Sequence, residues 1–88
     1  MENRYRLILE DFEGTNSISL EVFACHVPRK KELIRFEPDQ FAAADAVLET
    51  FRAEYTVVEI EHKVNLKDGD YLSIPTVWAK YKSKLPAR

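Results

Sequence analysis

Tyr5, Leu7 and Leu9 alternate with Arg4, Arg6, Ile8 and Glu10, and this period of two predicts a strand from Tyr5 to Glu10. A second strand is predicted from Ser17 to Cys25, where Ile18, Leu20, Val22 and Ala24 alternate with Ser17, Ser19, Glu21 and Phe23. The polar link between them, Asp11 to Asn16, turns around Gly14 and has Phe12 as its only apolar member, so the two runs read as a hairpin. Val27-Pro28 then breaks the alternation, because proline cannot donate to a sheet ladder. After the basic run Arg29-Lys30-Lys31, the residues Leu33, Ile34 and Phe36 predict a short third strand.

From Pro38 the period changes. Phe41, Ala44, Val47, Leu48, Phe51 and Tyr55 fall on one stripe at a spacing of about 3.6. Pro38 suits a first helical turn, Glu37 and Asp39 suit the positive end of a helix dipole, and four alanines between 42 and 46 favour helix. Thr56 to Val64 returns to period two, with Val58, Ile60, His62 and Val64 alternating with Val57, Glu59, Glu61 and Lys63, and Asn65 to Asp70 reads as a turn centred on Asp68-Gly69.

The last segment supports two readings. Thr76, Val77, Trp78 and Tyr81 have strand propensity, and the lysines at 80, 82 and 84 alternate with Ala79, Tyr81 and Ser83. A helical stripe of Ile74, Val77, Trp78, Tyr81 and Leu85 accounts for more positions, with Ser73 as a cap and lysines at the negative end of the dipole. The predicted order is therefore β-β-(β)-α-β-α. It describes a two-layer α+β domain over residues 1–88, with a small antiparallel or mixed sheet of three or four strands on one main helix and a basic tail at 82–88 free to fray. Val47, Leu48 and Phe51 are expected to pack against Leu7, Leu20, Val22 and Ile60. Ile8, Phe23 and Val57 are expected on the opposite sheet face.

Composition narrows the class. With 88 residues, 45% apolar and 11% aromatic, the chain suits one folded domain and is too apolar for disorder. No apolar run approaches the ~20 residues that cross a bilayer, and the first 20 residues lack the apolar stretch of a secretory leader. One cysteine cannot form an internal disulfide, and a cytoplasmic setting is expected.

Candidate chemistry is sparse. Cys25-His26 resembles a nucleophile and base, but neighbours in a strand point to opposite faces. Cys25, His26 and His62 are too scattered for a four-ligand zinc site, and His62 reads as semi-buried beside the core. Glu59 and Glu61 share a strand face about 7 Å apart, as paired catalytic carboxylates can, but they alternate with valine and isoleucine and read as the charged outer face of a strand. Asp68-Gly69-Asp70 lacks the further ligands of a calcium loop, and two isolated glycines cannot build a phosphate cradle. The sequence predicts no enzyme, no cofactor and no metal.

Charge is segregated although the net charge is only −2. Residues 29–35 carry a net +3 through Arg29, Lys30, Lys31 and Arg35, residues 76–88 carry +4 through Lys80, Lys82, Lys84 and Arg88, and residues 37–54 carry −4. Two functions fit. One is a protein-interaction domain that binds a partner or a second copy of itself through Ile8, Phe23, Val57, Trp78 and Tyr81 or through a strand edge. The alternative is nucleic-acid binding, with Arg29, Lys30, Lys31, Arg35, Lys80, Lys82 and Lys84 on phosphates and Trp78 or Tyr81 available for stacking. The low isoelectric point, near 5.7, favours the first.

Overall fold

A computed structural model of the chain describes residues 3–67 and 69–87. β1 (Asn3–Glu10) and β2 (Ser17–Ala24) form the expected antiparallel hairpin, with Tyr5 opposite Val22, Leu7 opposite Leu20 and Leu9 opposite Ile18. Asp11 organises the link. Its amide donates to the Asn16 carbonyl at 3.0 Å, and its Oδ1 accepts from the Thr15 amide at 3.1 Å. Gly14 sits at φ 74°, where a Cβ would come within 2.9 Å of Glu10 Oε1.

β3 (Leu33–Phe36) is the expected short strand. A 3-10 turn (Ala42–Ala44) and a five-residue helix, α1 (Ala46–Thr50), lead into β4 (Ala53–Glu61). β5 (Val64–Lys67) and β6 (Asp70–Ser73) pair as a separate two-stranded sheet, with Asp68 outside the described residues. β7 (Thr76–Lys84) completes a five-stranded mixed sheet in the order β2-β1-β7-β4-β3, curled into a half-barrel. β7 runs parallel to β1 and antiparallel to β4. Register shifts at Glu54/Tyr55 and Val57/Glu59 interrupt the β4–β7 ladder, and such irregularities increase local twist and help a sheet curl.

The α+β expectation is corrected: the chain is nearly all strand, with no main helix beneath a sheet. Asp45 is the local cause. It is extended at φ −82°, ψ 111°, and its carboxylate accepts from the Val47 amide at 2.9 Å, so it caps a new helix and ends the turn before it. Phe41 and Val47, on the expected buried stripe, are 91% and 58% exposed. Phe51 is buried, but it closes α1, and Tyr55 belongs to β4. From Ala53 onward the β-branched residues Thr56, Val57, Val58 and Ile60 favour a pleated strand.

The expected C-terminal helix is likewise a strand. An isolated helix shorter than ~12–15 residues is marginal, whereas β7 gains ladder partners on both sides. Val77, Ala79 and Tyr81 face inward, and Leu85 beyond the strand is buried. The core fills the inner face of the curl: Tyr5, Leu7 and Leu9 from β1, Ala53, Tyr55 and Val57 from β4, Val77 and Ala79 from β7, and Phe51. Ile18, Leu20, Val22 and Ala24 of β2 pack against it while only partly buried. Arg52 ties the ends of this arrangement together, donating to Glu37 Oε1 at 3.0 Å and to the Pro86 carbonyl at 2.9 Å.

Candidate interaction surfaces

The alternation that sends Leu7 and Leu9 inward sends Arg4, Arg6, Ile8 and Glu10 outward. Ile8 pairs with Trp78, and Val58 joins them around a hollow of about 340 Å³ edged by Glu10, Ser17 and Glu59. This is the apolar centre of the outer face. Phe23 lies apart from it, opposite Arg4 near the end of β2, and is exposed. Val57 is not a surface residue: it pairs with Ala79, is 1% exposed and belongs to the core. The reason is the irregularity between Val57 and Glu59, which shifts the strand's parity and leaves Val58 on the outer hollow. Tyr81 faces inward in the second half of β7, on the opposite face from Trp78. The five expected contact residues therefore do not form one patch.

The two basic segments do come near each other, because β3 and β7 both flank β4 and so lie about 10 Å apart. Acids separate them. Arg35 pairs with Glu37 at 3.3 Å and Lys82 with Glu54 at 3.5 Å, while Lys80 lies beside Glu10 in the β1–β7 register. Arg29 and Lys30 stand elsewhere, around a hollow shared with His26, Val27 and Glu32. Arg88 is outside the described residues.

The sheet has two open edges. β3 is four residues long and is followed closely by Pro38, features that blunt an edge. β2 is eight residues long, contains no proline and carries one charge, Glu21, held by Arg4 at 3.1 Å. Its ladder parity follows from two bonds. The Asp11 amide reaches the Asn16 carbonyl, and the Arg6 amide reaches the Pro75 carbonyl on the β7 side at 2.9 Å. Tyr5, Leu7 and Leu9 therefore bond toward β2, and their partners Val22, Leu20 and Ile18 bond back. Ser17, Ser19, Glu21 and Phe23 turn their backbone donors and acceptors to the free side.

A smaller hollow of about 330 Å³ lies under the hairpin loop, lined by Asp11, Phe12, Glu13, Thr50, Tyr55 and Tyr81. Phe12 meets Tyr81 edge-on with centroids 5.4 Å apart, and Tyr81 meets Tyr55 edge-on at 6.2 Å. Burial, with Tyr81 and the charge of Asp11 as lesser causes, raises the Tyr55 hydroxyl to about 12. Desolvation pushes the Asp11 carboxyl upward, but hydrogen bonding by Asn16, Gly14 and Thr15 outweighs it and holds it below the usual value. Phe12, the single apolar residue of the link, and Tyr81, one of the expected contact residues, were the sequence signals for this hollow.

Cys25, His26 and His62 are all exposed; His62 lies just past the end of β4 and not beside the core. Among the described residues no group of three or more His, Cys, Asp and Glu is placed to hold a metal ion, and no helix is long and apolar enough to cross a membrane. Comparison with protein-family models, curated proteins and solved structures found no match.

Proposed function

We propose that this chain is a non-catalytic interaction module that joins proteins by strand addition at β2, and that its first partner is a second copy of itself. The observation that carries this reading is the unprotected eight-residue edge of β2, with its inner row Ile18, Leu20 and Val22 only partly covered. An antiparallel copy would continue the sheet and extend that apolar row across a two-fold axis. The axis is best placed at Leu20. There Ile18 meets the copy's Val22, and Glu21 meets Ser19; a shift of one pair toward the C-terminus would set Glu21 against itself. A reducing, cytoplasmic setting accords with the exposed free thiol of Cys25 just beyond β2.

Sedimentation equilibrium across a wide concentration range tests the proposal with Ser19→Pro as the partner variant. The Ser19 amide faces the free side, so proline there removes no bond to β1 yet obstructs an added strand. A monomer–dimer equilibrium in the wild type is expected, with a monomeric Ser19→Pro protein of unchanged circular dichroism. A wild type that stays monomeric at high micromolar concentration, or a proline variant that still dimerises, overturns it.

A further inference from the structure

We infer, on the β2 pairing proposed above, that Phe23 of the second copy completes the apolar hollow of the outer face. The hollow, about 340 Å³, reaches from Val58 and Glu59 on β4 across Trp78 and Ile8 to Ser17 on β2, so it runs out at the open edge of the sheet. Ser17 lies opposite Glu10 at its rim, and Ser19 lies opposite Ile8. Both serines are exposed and small. No large side chain therefore stands between Ile8 and the open edge, and the hollow lacks an apolar wall on that side.

Phe23 has the complementary defect. It stands on the same face of the same strand and is 60% exposed, because its ladder partner is Arg4, which turns to Glu21 at 3.1 Å. Within one chain Phe23 cannot wall the hollow: Arg4 and Ile8 are separated by about 13 Å of strand rise. Antiparallel pairing around Leu20 removes that distance. It sets the copy's Phe23 directly opposite Ser17 and diagonal to Ser19, with Cβ separations of about 5 and 7–8 Å, within which aromatic side chains make cross-strand contacts. The ring then lies over the two serines and against Ile8. Neighbouring registers that keep Leu20 inward do not achieve this. With the axis at Glu21 the two Glu21 carboxylates meet, and with the axis at Ser19 the copy's Phe23 falls opposite Thr15, outside β2. The two-fold axis makes the contact twice, so each copy supplies one ring and receives one.

The test combines sedimentation equilibrium with isotope-filtered NMR on the full chain. Phe23→Ala should weaken the dimer at least tenfold, while the thermal unfolding of the dilute monomer stays as in the wild type, because the side chain is exposed there. In an equal mixture of isotope-labelled and unlabelled wild-type chains, at concentrations where the dimer predominates, nuclear Overhauser contacts should link the Phe23 ring of one copy to the Ile8 methyl groups of the other. Inside one chain those groups are too far apart to give this signal. A dimer that shows no contact between Phe23 and Ile8, or a Phe23→Ala protein that dimerises as tightly as the wild type, overturns the inference and leaves the β2 pairing standing. A wild type that never dimerises removes both.

Discussion

Truncating Leu9 and truncating Val47 should have opposite consequences, and the contrast separates a sheet-enclosed core from a helix-backed one. Leu9 is 0% exposed and sits mid-sheet, with Ile18 beside it on β2 and Ala79 on β7. Both flanking strands are held in ladders, so the site cannot collapse freely, and Leu9→Ala should cost about 3–4 kcal/mol. In a domain of this size that is a large part of the whole stability, and it should lower Tm by roughly 12–30 °C. Val47 is 58% exposed on α1, and Val47→Ala should change stability by less than about 0.5 kcal/mol. Urea unfolding followed by Trp78 fluorescence, with thermal melts beside it, measures both, and equal m-values would show that the unfolded reference has not changed. A loss above about 1.5 kcal/mol for Val47→Ala, or below about 1 kcal/mol for Leu9→Ala, would refute the placement of the core.

Tyr55 should make the fold sensitive to alkali. Below pH 10 the folded and unfolded chains both keep its proton; between pH 10 and about 12 the unfolded chain releases it first, so stability should fall by roughly 2–3 kcal/mol across that window, and Tyr55→Phe should remove this part of the slope. Lys31 holds a left-handed backbone at φ 77° while its amide bonds the Val57 carbonyl at 2.8 Å, so Lys31→Gly should keep that bond, relieve the strain and raise stability by about 0.5–1 kcal/mol in the same unfolding assay; a loss of stability would show that the conformation costs lysine nothing.

Periodicity located the strands that own an unambiguous pattern. The β1–β2 hairpin and the short β3 were legible because no helical stripe competes there. Residues 41–55 satisfied a helical stripe, but Tyr55 belongs to two patterns at once: it closes that stripe, and it also alternates with Ala53 and Val57. Neither spacing reveals that Asp45 will spend its carboxylate on the Val47 amide and divide the run. The C-terminal segment failed for a different reason. Its strand is secured by β1 and β4, which are remote in sequence, and local preference carries no record of such pairing.

The candidate surfaces depend on the same remote pairing. Whether β2 is an edge or an interior strand follows only from β7 entering between β1 and β4, and the aromatic hollow exists only because Tyr55 and Tyr81 are placed opposite each other in that ladder. Once the order is known, the alternation along β2 divides its work. Ile18, Leu20 and Val22 send side chains to the core and backbone bonds to β1, so the fold depends on them twice. Ser17, Ser19, Glu21 and Phe23 send side chains outward and backbone groups to the open edge, so a partner can use them without taking anything from the fold. Stability and association are therefore separable residue by residue along one strand. Substitutions at positions 18, 20 and 22 should unfold the monomer and the dimer together. Proline at position 19 should remove the dimer alone.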